Sequence, residues 1–145
     1  MPHLTLLQKG LRVLVVDGTA DSRDLLTMLF DAYGVETTTA TCVSEAITSM
    51  QQALPDLVIS ELFLPGEDGY ALMDKVKTFE TTYRVQVPAI ALTVCAGVHD
   101  RTCALAAGFC RHLAKPLDID ELLTTIIGIT GAAQSEAQTI AKRRN

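Results

Sequence analysis

The sequence predicts one α/β domain built on a doubly wound parallel sheet, and three observations carry that expectation. Short, nearly continuous apolar runs recur along the chain, as in strands covered on both faces. Each is followed by a segment whose apolar residues repeat at helical spacing, which implies βαβ units with right-handed crossovers. Single polar residues then stand at the ends of the runs, at Asp17, Glu61, Thr93 and Lys115, where such sheets place their ligands. With 145 residues, 48% apolar and 20% charged, the chain has the size and composition of one domain with one buried core.

The elements follow in order. Residues 11–16, Leu-Arg-Val-Leu-Val-Val, read as a central strand ending at Asp17-Gly18. Residues 20–33 carry Leu25, Leu26, Leu29, Ala32 and Tyr33 at helical spacing, and Gly34 can supply a left-handed C-cap. Residues 35–40, with three consecutive threonines, read as a shorter, more polar strand suited to a sheet edge. Val43, Ala46, Ile47, Met50 and Leu54 make residues 43–54 an amphipathic helix closed by Pro55. Residues 56–60 form the third strand. After the loop 64–68, Leu72, Met73, Val76 and Phe79 mark the third helix.

Residues 87–92 are the fourth strand, 98–107 a helix ended by Gly108, and 109–114 the fifth strand. Asp118 and Glu121 are spaced as a capping box at the last helix, with Leu117 and Leu122 as its staple and Ile119, Leu122, Leu123, Ile126 and Ile127 as its apolar face. The product is a flavodoxin-like (βα)5 sheet in the order 2-1-3-4-5. Residues 1–10 form an N-terminal extension, 11–130 the domain, and 131–145 a polar tail ending in Lys142-Arg143-Arg144-Asn145. That tail is expected to be solvated and poorly ordered, the alternative being a basic docking or helix-extending element.

Composition excludes several functions. A net charge of −5 and a pI near 5.1 oppose a surface that tracks nucleic-acid phosphates. The start of the chain has neither a basic n-region nor a long apolar stretch, and no run reaches the roughly 18 apolar residues of a membrane span, so a cytoplasmic setting is expected. Cys42, Cys95, Cys103 and Cys110 form no CxxC pair, and His3, His99 and His112 add no close ligand spacing, so small, half-buried thiols are expected in place of a zinc site. No GxGxxG or GxxxxGK[ST] loop is present, which leaves an enzyme or flavin-binding reading unsupported, and no cofactor is expected.

Glu61 is the most informative position. It closes the apolar run Leu57-Val58-Ile59-Ser60 four residues before Pro65 and eight before Gly69. Together with Asp17, Thr93 and a Lys115-Pro116 pair, it makes residues 11–128 resemble the receiver domain of two-component response regulators. The resemblance implies a site at which a histidine kinase delivers a phosphoryl group to a strand-three aspartate. It further implies magnesium held by that residue, an acidic pair after strand one and the carbonyl at Phe63, with Thr93 and Lys115 on the phosphoryl oxygens.

The sequence departs from that pattern in three places. Glutamate stands at 61, moving the nucleophilic oxygen by more than about 1 Å, a misplacement that can cost on the order of 100-fold. Gly18 replaces one acid of the pair, leaving a weak or absent magnesium site at Asp17, Glu61 and Phe63, with Asp21 a possible compensating acid. Val94 stands where a small residue is usual and should crowd a phosphoryl donor. The longer Glu61 carboxylate can instead reach Lys115 and Thr93 without metal or phosphate.

His112 takes the place of the family's switch aromatic, its imidazole either an ordinary exposed ring or a pH-responsive group. The resemblance puts the partner surface on the fourth helix, fifth strand and fifth helix, around residues 98–105, 111–115 and 119–126. The leading expectation is a degenerate, non-enzymatic pseudo-receiver that acts as a signalling adaptor through protein contacts, with a histidine kinase, effector or other signalling protein as partner. The alternative is a working phosphorelay receiver with atypical acceptor chemistry.

Overall fold

The computed structural model describes residues 10–144, with side chains through residue 131; most of the expected N-terminal extension lies outside the described residues. Five strands, β1 (Arg12–Val16), β2 (Glu36–Ala40), β3 (Leu57–Ser60), β4 (Ala89–Thr93) and β5 (Arg111–Ala114), alternate with α1 (Ala20–Ala32), α2 (Val43–Gln52), α3 (Gly69–Tyr83), α4 (Val98–Ala107) and α5 (Ile119–Arg144). The strands are all parallel in the order β2-β1-β3-β4-β5, as the sequence predicts.

Side chains of a strand alternate between faces, so the covered strands β1, β3 and β4 each feed two apolar layers. Leu14, Val16, Val58, Ala89 and Ala91 pack under α2, α3 and α4 with Met50, Leu72, Met73 and Val76. Val13, Val15, Leu57, Ile59, Ile90 and Leu92 pack under α1 and α5 with Leu26, Phe30, Leu122, Leu123 and Ile126. All four residues of β3 and all five of β4 are buried. That double coverage is why these runs read as continuous apolar stretches.

Element ends differ from the expectation in ways local chemistry explains. α2 stops at Gln52, two residues early, because the residue before Pro55 is pushed out of the helical region and Ala53 is already extended. β4 starts at Ala89 and runs through Thr93, since Pro88 has no N–H for the ladder, so Thr93 ends the strand instead of following it. β5 begins at Arg111, two residues late, while Phe109 serves the core. α1 closes as predicted, with Gly34 at φ +73° and the Val35 N–H reaching the Phe30 carbonyl at 3.0 Å.

Asp118 accepts the Glu121 N–H at 3.1 Å, the forward half of the capping box. α5 then continues to Arg144, past the point at which a poorly ordered tail is expected. Residues such as Ala132, Ala133, Glu136 and Ala137 favour that extension by their helix propensity. No helix among the described residues is long and apolar enough to cross a membrane.

Candidate functional site

At the carboxyl end of the sheet, β1, β3, β4 and β5 deliver Asp17, Glu61, Thr93 and Lys115 to one point. All three of Asp17, Glu61 and Thr93 are buried. The Lys115 ammonium lies 2.8 Å from Asp17 Oδ2, 2.9 Å from Glu61 Oε2 and 3.2 Å from Ser22 Oγ. Glu61 Oε1 accepts the Thr93 hydroxyl, the Leu62 N–H at 2.9 Å and the Phe63 N–H at 3.3 Å. The remaining oxygen of Asp17 accepts the Thr19 N–H at 2.9 Å. One cation thus bridges two carboxylates, every oxygen of which has a donor.

The backbone makes this convergence possible. The Glu61 N–H bonds to the Val16 carbonyl at 2.9 Å, and the Lys115 N–H to the Thr93 carbonyl at 2.9 Å, so the ladder continues one step past each strand end. Lys115-Pro116 is a cis peptide. Gly69 opens α3 directly against the loop: a Cβ there would stand 2.8 Å from the Glu61 carbonyl oxygen and 3.0 Å from Leu62 Cα. Only glycine lets the helix start so close to the acidic residue.

Burial alone would push the Glu61 carboxyl up, but hydrogen bonds from Thr93 and Lys115, the ammonium charge and the Phe63 N–H outweigh it and hold the group below its ordinary value of 4.5. Burial likewise opposes charge on Lys115, yet Asp17 and Glu61 raise it above 10.5. Glu61 therefore contributes stability that is present above pH 4.5 and is lost as pH falls through its lower folded value. Lys115 contributes stability that is present below pH 10.5 and is lost as pH rises through its higher folded value. A urea titration series should show a plateau between those limits and an acid decline that is shallower in Glu61→Gln.

Several residues sit differently from the sequence expectation. Asp21 is exposed and lines a neighbouring cleft of about 240 Å3; Ser22, one residue on, makes the contact to Lys115. The signal for Ser22 was its phase, since Ser22, Leu26 and Phe30 share the inner stripe of α1. His112 is a half-buried ring with Nε2 2.8 Å from the Cys95 carbonyl oxygen, not an ordinary exposed one. Cys95 also donates its N–H to Thr93 Oγ at 2.9 Å, so a chain of hydrogen bonds runs from β5 to Glu61 through the Cys95 backbone and not its thiol. Val94 is 66% exposed and Phe63 69% exposed, placing both at the mouth of the site. All four cysteines are free and half-buried.

The donor set is poor for a divalent cation. The second acid is replaced by Gly18, and the Asp17 and Glu61 oxygens serve the Lys115 ammonium and N–H and O–H donors, which a cation would have to displace or share. A Cβ at Gly18 would lie 2.9 Å from Pro65 Cδ and 3.2 Å from its Cγ, so an acid cannot be restored there without moving the loop. Among the described residues, no group of three or more His, Cys, Asp or Glu is placed to hold a metal ion. Millimolar magnesium is expected to move the melting temperature by less than about 1 °C. Gly18→Asp should cost about 1–3 kcal/mol by overpacking, and less in combination with Pro65→Ala, as read by denaturant unfolding.

Residues 13–127 match the family described as the response regulator receiver domain. The chain belongs to the response regulator receiver family. It is 38% identical over 114 residues to an uncharacterized 14.6 kDa protein of Leptolyngbya boryana, covering 79% of this chain and 86% of that one. Response regulator PleD of Caulobacter vibrioides is 30% identical over 119 residues, which are 82% of this chain but only 26% of PleD. Among solved structures, a putative response regulator from Chloroflexus aurantiacus superposes with a TM-score of 0.76 at 29% identity, over 83% of this receiver and 98% of that chain. Chemotaxis response regulator CheY4 of Vibrio cholerae gives 0.73 at 26% identity, over 81% and 97%. Membership assigns the receiver a signalling role exercised through other signalling proteins.

Proposed function

We propose that this receiver is a pseudo-receiver: a signalling adaptor that engages its protein partner without being phosphorylated. The observation that carries the reading is the Lys115 ammonium held 2.8 Å from Asp17 and 2.9 Å from Glu61. In a phosphorylated receiver the lysine and the strand-four threonine serve an incoming phosphoryl group; here a built-in carboxylate engages both. The Thr93–Cys95–His112 chain of hydrogen bonds then ties that state to β5. Val98, 86% exposed, with the exposed Leu105 and Ile119, offers apolar contacts on the α4-β5-α5 face for a histidine kinase, an effector or another signalling protein.

The test is affinity capture from source cells with wild type and with Val98→Asp/Leu105→Asp, each with and without a small phosphodonor and magnesium. The reading predicts a partner set lost in the double variant and unchanged by the phosphodonor. Capture that requires the phosphodonor would contradict it and favour the working phosphorelay receiver, which the retained Asp17, Thr93 and Lys115 support.

A further inference from the structure

We propose that residues 1–9, the segment preceding the domain, dock across the amino end of the sheet and fill a cavity there. Leu11, Asp56, Pro88 and Cys110, each standing immediately before a strand, border a cavity of about 820 Å3 whose side walls include Met73 of α3 and Ile129 of α5. Glu61 and its partners lie at the opposite ends of the strands, so this cavity is no part of the candidate site. Leu11 belongs to the apolar layer under α1 and α5, and Met73 to the layer under α2, α3 and α4. The cavity therefore reaches the core on both faces of the sheet.

The point at which the chain enters the domain selects the occupant. Gly10 turns at φ +83°, its N–H 3.4 Å from the Gly34 carbonyl oxygen, and the next residue, Leu11, is already a wall of the cavity. Residues 1–9 thus join the domain at the cavity edge. Extended at about 3.3 Å per residue, they reach about 30 Å, more than enough to cross it. A tethered segment is present at an effective concentration in the millimolar range, so a contact too weak to hold a free peptide still closes.

Composition and charge match as well. Within Met-Pro-His-Leu-Thr-Leu-Leu-Gln-Lys, Leu4, Leu6 and Leu7 supply apolar side chains for a floor that includes the buried Leu11, Met73 and Val87. The segment has no acid, and His3 and Lys9 are its only basic side chains. The cavity lining carries two acids, Asp56 and Glu80, against one base, Lys77. Asp56 Oδ2 accepts the Arg12 N–H at 2.9 Å and Glu80 Oε2 the Val87 N–H at 2.8 Å. The other oxygen of each has no protein donor among the described residues, and Lys9 lies one residue from the turn at Gly10.

The experiment uses the full chain and its own thiols. Cys110 borders the cavity, whereas Cys42 precedes α2 and Cys103 lies on α4, and all three are free and half-buried. Labelling by N-ethylmaleimide is followed site by site by peptide mass in wild type, in Leu4→Ser/Leu6→Ser/Leu7→Ser and in Lys9→Glu. The triple variant should label Cys110 roughly tenfold faster with Cys42 and Cys103 unchanged, and Lys9→Glu should raise the Cys110 rate roughly twofold. The wild-type rate should be equal at about 5 and about 100 μM protein, as an intramolecular contact requires. In wild type, methyl NOEs should link the leucines of residues 4–7 to Val87 or Ile129. Equal Cys110 rates in wild type and triple variant, or protection that grows with protein concentration and so comes from a second copy, would overturn the proposal. Absence of those NOEs would do the same, and the wild-type spectrum decides it even if the triple variant loosens the whole domain.

Discussion

Lys115→Met is expected to destabilise the domain by about 3–5 kcal/mol, because it strands two buried carboxylates without their shared cation. The melting temperature should fall by about 10–20 °C. Asp17 and Glu61 are both nearly inaccessible and both within 3 Å of the same nitrogen, so neither can turn to solvent to recover its hydration. Glu61→Gln should cost less, about 1–2 kcal/mol, since the amide oxygen still accepts from Thr93 and the loop N–H groups while Asp17 alone neutralises Lys115. Removing Lys115 then leaves one stranded anion in place of two. The double variant should therefore be more stable than the sum of the single losses implies, by about 0.5–3 kcal/mol. Additive, near-neutral changes in urea unfolding would mean that the Lys115 bridge between Asp17 and Glu61 adds little to stability.

The second large effect concerns phosphotransfer. Glu61→Asp alone should not restore it, because Gly18 still withholds an acid and Val94 still stands at the mouth. Glu61→Asp with Gly18→Asp and Val94→Ala returns all three family features. A Cβ at residue 18 would stand 2.9 Å from Pro65 Cδ, so the acid enters with a shift of the loop after β3. Intact mass after treatment with a small phosphodonor should show a phosphoryl gain in the triple variant and none in Glu61→Asp. Uptake by the single variant would show that Gly18 and Val94 matter little.

The fold was legible because strand and helix alternate five times, with the covered runs of β1, β3 and β4 as the clearest signal. Pro55 and Pro88 then shifted element ends by a residue or two, since periodicity does not register a missing N–H or the restriction it places on its neighbour. At the site, the four residues at strand ends could be placed by position alone. The role of Ser22 depended on the rotation of α1, and that of Cys95 on its backbone N–H and carbonyl, groups every residue possesses and no motif marks. In the sequence Gly18 is a lost ligand, and its packing against Pro65 becomes visible only when the loops after β1 and β3 are side by side.

Intact mass of the wild-type protein after incubation with a small phosphodonor and magnesium decides whether the Asp17–Lys115–Glu61–Thr93 ionic site leaves room for a phosphoryl group. An unchanged mass is expected for the proposed pseudo-receiver; a stable gain of one phosphoryl group mapped to Glu61 would overturn that proposal.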